Sequence, residues 1–151
     1  MFTYSCPEGK KFESEALKAG EILAAVKMLK GAVAAMVDGV PVDLDVTVDH
    51  DAEVAPVSPS SEEGLDIVRH STAHLLAEAV MHLYPGAKVA IGPTIKDGFY
   101  YDIEFPKPIS DADLPAIEKE MKKISKHSTP VKRQNVTKEE AVALFKERNE
   151  P

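Results

Sequence analysis

The sequence has 151 residues, of which 44% are hydrophobic, with a single cysteine and a formal net charge of −7. This length allows one ordinary domain or two small ones, and one cysteine excludes an internal disulfide framework and fits the reducing cytoplasm. The longest apolar run, Ala32 to Val37, is far shorter than the ~20 residues needed to cross a bilayer. The N-terminus lacks the basic start and apolar core of a signal peptide. We therefore expect a cytoplasmic protein with no membrane partner.

The acidic charge is confined to the first part of the chain. Residues 1–63 hold 5 basic and 12 acidic residues, whereas residues 64–151 hold 13 of each. The acidic first part is a poor partner for a phosphate backbone. In the second part, a group of basic residues is interpreted as a solvated helix face in preference to a binding surface. The group comprises Lys119, Lys122, Lys123, Lys126, Lys132 and Arg133.

The first 60 residues predict strand, turn, strand, helix, hairpin and late strands. Asp38-Gly39 between two apolar runs is a strong signal for a two-residue hairpin turn. One helix crossing a small, mostly antiparallel sheet suggests a β-grasp module. The predicted elements are a strand at 2–6, a turn at 7–10, a helix at 16–29, hairpin strands at 34–37 and 40–42, and late strands at 46–48 and 54–57.

Small polar residues with proline and glycine at 58–64 predict a linker, and this linker coincides with the charge boundary. We therefore predict an α+β protein with a β-grasp domain at 1–61 and a second α+β domain at 65–151. The second domain is predicted to hold a long helix and antiparallel strands. Its predicted elements are a helix at 65–84, strands at 88–91 and 99–105, a helix at 110–126, a strand at 130–136 and a helix at 137–148.

His70 and His74 are the main candidates for chemistry. On a helix, residues four apart leave the same face, about 5–6 Å apart at Cβ, and imidazoles titrate near neutrality. A helical projection places both histidines opposite the main apolar stripe, beside small apolar residues, which predicts that they line a partly enclosed space. The predicted stripe consists of Leu65, Val68, Thr72, Leu76, Ala79 and Leu83.

Taken alone, the His-x-x-x-His spacing is a weak motif, and a structural role is the commoner explanation. A catalytic zinc needs three protein ligands, and the HExxH motif would need glutamate at position 71, which is serine. Cys6 lies in the other module, and His50 and His127 are interpreted as surface residues. No G-x-S-x-G sequence marks a serine hydrolase. The residues alone therefore give only limited support to a metal site.

Motifs around the histidines carry a more specific signal. The run from Arg69 to Val80 is followed by Tyr84-Pro85-Gly86-Ala87-Lys88 and then by VAIGPTIKDGFYYD at 89–102. This ordered series resembles the editing domain of threonyl-tRNA synthetases. The first 60 residues resemble the TGS module, the β-grasp domain that begins most bacterial enzymes of this family. Alanyl-tRNA synthetases share the histidine helix but not this TGS module.

The resemblance implies that His70 and His74 are catalytic in hydrolysing serine wrongly attached to tRNA(Thr). A second, hydrolytic site is needed because serine lacks only one methyl group of threonine, and a pocket that accepts threonine discriminates against serine by only about 1–3 kcal/mol. Tyr101 matches a position in the same pocket, although a core role on the face formed by Phe99, Ile103 and Phe105 is equally open.

The resemblance also implies a parent enzyme, a homodimer, that charges tRNA(Thr) using ATP and Mg²⁺ and holds zinc in a catalytic domain. By this resemblance the chain holds the TGS domain at 1–61 and only the N-terminal part of the editing domain, truncated, at 65–151. The catalytic domain and the family's Cys-x-x-x-His pair are not among these residues, so no metal or cofactor is expected here. The isolated chain is expected to hydrolyse mischarged tRNA poorly. A freestanding editing protein, a non-enzymatic RNA- or partner-binding module and a metal hydrolase remain alternatives.

Overall fold

The computed structural model of the protein describes residues 1–129, 131 and 133–148. The predicted strand at 130–136 therefore lies partly outside the described residues. Within the described part of the chain, helices and a mixed sheet are both present, which confirms the α+β class. No described helix combines the length and hydropathy needed to span a membrane.

A five-stranded sheet forms the first part of the structure, with a helix packed against it. The elements of this part are β1 (Phe2–Ser5), a 3₁₀ turn (Pro7–Gly9), β2 (Lys11–Ser14), β3 (Leu17–Lys18), α1 (Ala19–Ala25), β4 (Ala34–Val37), β5 (Val40–Val42), β6 (Thr47–Val48) and β7 (Ala52–Val57). The strand order of the sheet is β2-β1-β7-β4-β5; β1 and β7 are parallel and the other neighbours are antiparallel. A separate pair, β3 and β6, is also antiparallel.

The core of this part lies between the sheet and α1. Tyr4, Ile22, Leu23 and Val54 are fully or almost fully buried there. The Tyr4 hydroxyl donates to the Val48 carbonyl at 2.8 Å, so the buried phenol has a partner for its polar atom.

The predicted hairpin is confirmed at Asp38-Gly39. Both residues have positive φ, 49° and 79°, as a type I′ turn requires. The Asp38 carboxylate also accepts the backbone N–H of Glu53 at 2.8 Å, which ties the turn to the neighbouring β7.

The helix predicted at 16–29 is wrong at both ends. Leu17 pairs with Val48 in a strand, and the Gly20 N–H donates to the Leu44 carbonyl at 2.8 Å, so the chain enters α1 only at Ala19. After Ala25, Lys27 has a φ of 63° in the left-handed region, which ends the helix. Tertiary pairing and backbone geometry override the helical periodicity at these ends.

A 22-residue helix, α2 (Glu62–Leu83), follows segment 58–61. The Ser61 hydroxyl caps it by accepting the Gly64 N–H at 3.1 Å, and Glu62 and Glu63 stand in its first turn, where the helix dipole favours negative charge. Gly64 is buried against the preceding segment: a Cβ on it would stand 1.8 Å from the Ser58 carbonyl oxygen. The absent side chain lets segment 58–61 fold back on the helix start.

Four short strands follow α2 and form two antiparallel pairs. The continuous strand predicted at 99–105 is wrong. Phe99 pairs with Thr94 in a hairpin, whereas Ile103 pairs with Val89 of a different strand, so the hydrogen-bonded ladder is interrupted between them. The predicted alternation is nevertheless present, because Phe99, Tyr101, Ile103 and Phe105 are half-buried and the residues between them exposed. The strands are β8 (Lys88–Val89), β9 (Thr94–Ile95), β10 (Gly98–Phe99) and β11 (Ile103–Glu104).

Two helices complete the described chain. A 3₁₀ turn at Asp111–Asp113 leads into α3 (Leu114–His127), which packs on α2. The helix α4 (Lys138–Glu147) begins with the predicted capping box, in which the Thr137 N–H donates to the Glu140 carboxylate at 2.7 Å. The predicted strand before α4 is wrong at its described residues, 131 and 133–136, which form no strand.

Candidate functional site

The helix α2 carries both candidate histidines, and its buried face differs from the predicted stripe. Ala73, Ala77, Ala79 and Val80 are buried. Only Ala79 of these belongs to the predicted stripe, whose Leu65, Val68 and Leu83 are 38–39% exposed. Small side chains let neighbouring elements pack close to the helix. At 100° per residue, Ala73, Ala77 and Val80 lie between the predicted stripe and the two histidines, so the buried face is rotated from the predicted one toward the histidines.

The two imidazoles contact each other directly. Nε2 of His74 lies 3.0 Å from Nε2 of His70, and the ring centroids are 4.6 Å apart with the rings at 76°. One full helical turn on a rigid element brings the nitrogens to hydrogen-bond distance, as the i, i+4 spacing predicts.

Both residues are exposed, so the partly enclosed space predicted around them is not found in the described part of the chain. Exposure leaves the rings accessible to water and to a large substrate. When both rings are neutral, one Nε2 carries the shared proton and donates, and the other accepts. The contact therefore gives the two chemically identical side chains different roles.

Tyr101 is half-buried and lies against Gly92. A Cβ on Gly92 would stand 2.2 Å from Cδ2 of Tyr101 and 2.5 Å from Cε2. The flanking backbone is held by a ladder between the segments, in which the Asp102 N–H donates to the Ile91 carbonyl at 2.9 Å. The ring therefore rests on the backbone of the Ile91-Gly92-Pro93 run. The motif at 89–102 contains this run but predicts no role for Gly92; a glycine between two strands and directly before a proline is the signal that indicates such a close approach.

The remaining histidines have structural neighbours rather than a shared site. Nδ1 of His82 lies 3.3 Å from the Glu120 carboxylate on α3, whose side chain is only 14% exposed. Lys123, first, and His82 lower the pKa of Glu120. His50 is exposed at the surface beside Asp38, and the exposed position of His127 also agrees with the surface interpretation.

Cys6 belongs to the core beneath the five-stranded sheet. Burial raises the pKa of its thiol, which makes it a weak nucleophile. Within residues 1–129, 131 and 133–148, no three histidine, cysteine or acidic side chains come together as a metal-binding group. The two imidazoles of α2 provide one ligand fewer than a catalytic zinc requires.

Curated proteins named threonine--tRNA ligase match the chain. The chain is 44% identical to the protein of Rubrobacter xylanophilus over 153 aligned residues, and the alignment covers 97% of this chain and 24% of the relative. It is 50% identical to the protein of Acidithiobacillus ferrooxidans over 123 residues, which are 82% of this chain and 19% of the relative. It is 41% identical to the protein of Polynucleobacter necessarius over 153 residues, covering 99% of this chain and 24% of the relative.

The chain thus spans about a quarter, or less, of the length of the curated relatives that it matches. No protein-family model matches it. The predicted resemblance to threonyl-tRNA synthetases is confirmed as a sequence similarity that covers nearly the whole of this chain.

Proposed function

We propose that this chain is the part of a threonine--tRNA ligase that takes part in hydrolysing serine wrongly attached to tRNA(Thr). The observation that carries the proposal is the 3.0 Å contact between the exposed imidazoles of His70 and His74. Sequence similarity to threonine--tRNA ligases supplies the substrate class. In this proposal residues 1–61 are a TGS domain and residues 65–151 belong to the editing domain.

The chemistry required is hydrolysis of an ester. The ring that donates through Nε2–H has an unprotonated Nδ1, and this nitrogen accepts a proton from water while the water oxygen attacks the ester carbonyl. The bond from the carbonyl carbon to the ribose oxygen breaks, and the imidazolium returns the proton to that oxygen. Serine and the free 3′ end of the tRNA leave. In this scheme the hydrogen bond between the two Nε2 atoms fixes the tautomer and the orientation of the ring whose Nδ1 takes the proton.

The parent enzyme would charge tRNA(Thr) in the cytoplasm, as a homodimer, using ATP and Mg²⁺. Its zinc does not fit the donors described here, because two imidazoles are too few, so no step above uses a metal. The 151 residues also contain no Cys-x-x-x-His sequence, and Cys6 is buried in the sheet core. We therefore propose that the chain alone deacylates seryl-tRNA(Thr) slowly or not at all.

A grafting experiment tests the proposal. The aligned segment of the Rubrobacter xylanophilus threonine--tRNA ligase is replaced by these 151 residues, and deacylation of seryl-tRNA(Thr) is measured. The graft should hydrolyse the ester, and His70→Ala or His74→Ala should abolish hydrolysis while aminoacylation with threonine persists. His50→Ala is the matched control. Hydrolysis that survives both α2 substitutions together would refute the proposed role.

A further inference from the structure

The helix α3 presents a row of lysines on one side, for which the proposed hydrolysis has no use. Lys119, Lys122, Lys123 and Lys126 are all exposed. At 100° per residue their spacing of i, i+3, i+4 and i+7 confines them to a sector of about 100°, and at 1.5 Å per residue the row is about 10 Å long. We call these four residues the lysine stripe.

The apolar face of α3 points the other way. Ile117 is buried, and Met121 and Ile124 are half-buried, on the side of the helix opposite the lysine stripe. Glu118 and Glu120 flank the stripe and pair with Lys122 and Lys123, the latter at 3.1 Å. In the part of the chain that the structure describes, Lys119 and Lys126 make no ion pair.

A solvated face does not explain this arrangement well. Like charges three or four positions apart on a helix repel each other and weaken it, and the stripe contains four such pairs. Glu118 and Glu120 offset this repulsion only at Lys122 and Lys123, because Lys119 and Lys126 have no ion pair in the described part of the chain. A linear polyanion relieves the repulsion and releases its own counterions on binding.

We propose that the lysine stripe binds the phosphate backbone of RNA. The choice of tRNA as the source of phosphates rests on the proposed function. The contact is electrostatic and independent of base sequence, because lysine reads phosphate as a point charge and no aromatic side chain lies in the stripe. It would hold the acceptor RNA on the same α2–α3 unit that carries the histidine pair.

An anionic membrane surface is the less favoured partner. A membrane-bound amphipathic helix buries its apolar face in the lipid, whereas the apolar face of α3 is already packed inside the protein.

The test measures binding of the 151-residue chain to uncharged tRNA(Thr). Fluorescence anisotropy gives the dissociation constant at each of a range of salt concentrations. Lys119, Lys122 and Lys126 are replaced together by glutamine; Lys123 is kept because it contacts Glu120, the partner of His82. The control replaces Lys11, Lys27 and Lys30 by glutamine, which changes the net charge equally. A second variant replaces the same three stripe lysines by arginine.

The stripe variant should bind at least tenfold more weakly, with a salt slope shallower by roughly 0.7–0.9 for each phosphate that it no longer neutralises. The control and the arginine variant should bind like the unmodified chain, and a noncognate tRNA should bind equally well. Circular dichroism should show α3 retained, and thermal unfolding should be unchanged or shifted upward, because repulsion is removed.

Failure of the unmodified chain to bind RNA would overturn the proposal, as would an equal weakening of binding in the control. Vesicles containing phosphatidylserine are the third arm; stripe-dependent vesicle binding without RNA binding would also overturn it. The readout needs no ester hydrolysis, so loss of the proposed editing function would leave this test intact.

Discussion

Gly92 lies directly beneath the ring of Tyr101, with space for hydrogen but not for a methyl group. The nearest ring atom would be 2.2 Å from a Cβ, well inside the contact distance of two carbons. This contact fixes the ring on the backbone at the break between the two strand pairs. The contact gives Tyr101 a defined packing position, whether or not the ring also takes part in the proposed ester hydrolysis.

Gly92→Ala is therefore expected to push the Tyr101 ring aside. We expect a loss of about 1–3 kcal/mol in the free energy of unfolding, as for other overpacked sites. Urea unfolding measures it. In a Tyr101→Ala background the same glycine substitution should cost much less, because the obstructing ring is gone; equal costs in both backgrounds would show that the contact does not matter.

Gly64→Ala should disturb the start of α2. The new methyl group would meet the backbone oxygen of Ser58 at 1.8 Å, and backbone cannot swing away as a flexible side chain can. We expect a loss of about 1–3 kcal/mol in the free energy of unfolding despite the better helix propensity of alanine. Glu63→Ala, one residue earlier and exposed, is the control. A stabilising effect of Gly64→Ala would contradict the close approach of segment 58–61.

The contact between His70 and His74 predicts opposite tautomers. When both rings are neutral, the donor must carry its proton on Nε2 and the acceptor on Nδ1. Long-range ¹H–¹⁵N correlation spectra distinguish protonated from pyridine-type ring nitrogens and should show one ring of each kind. In the His74→Ala variant His70 should lose this preference. Identical, freely exchanging tautomers in the unmodified chain would show that the rings do not share a proton.

The turn at Asp38 predicts a pH-dependent contribution to stability. His50 lies 2.9 Å from the Asp38 carboxylate, and Asp38, with Asp49, raises the pKa of His50 above its usual 6.5. The N–H of Glu53, first, and His50 hold the pKa of Asp38 below its usual 3.8. The contribution of His50 to the free energy of unfolding is thus fully present below pH 6.5 and is lost as pH rises through its raised pKa. The contribution of Asp38 is present above pH 3.8 and is lost as pH falls through its lowered pKa.

Replacing His50 by glutamine tests the histidine contribution. The free energy of unfolding of the variant should fall furthest below that of the unmodified chain near pH 5–6, and the gap should narrow as the pH rises through the raised pKa of His50. Because the pair is exposed, added salt should reduce the gap. A gap that is independent of pH would mean that the ion pair contributes nothing.

Local signals predicted several elements well, because their causes are local. Asp38-Gly39 suits the two positive φ angles of its turn, and Thr137 with Glu140 caps α4 as the sequence pattern predicts. The position of His70 and His74 on one helix face follows from spacing alone. The alternating exposure from Phe99 to Phe105 survives although the strand is broken.

Long-range packing decided what the sequence missed. Leu17 falls inside the helix predicted at 16–29 but pairs with Val48, far along the chain. The buried face of α2 consists of small residues such as Ala73 and Ala77, which hydropathy ranks below leucine. The close approach of Tyr101 to Gly92 depends on two segments meeting, which a helical or strand period cannot show.

The most direct measurement of the central claim is the rate of seryl-tRNA(Thr) deacylation by the grafted ligase carrying His74→Ala, compared with the graft carrying His50→Ala. Loss of a proton-transferring imidazole or of its orienting partner should slow hydrolysis by about 10²–10⁴-fold, with threonine charging retained. Equal deacylation rates in the two grafts would contradict a role for the α2 histidine pair in hydrolysis.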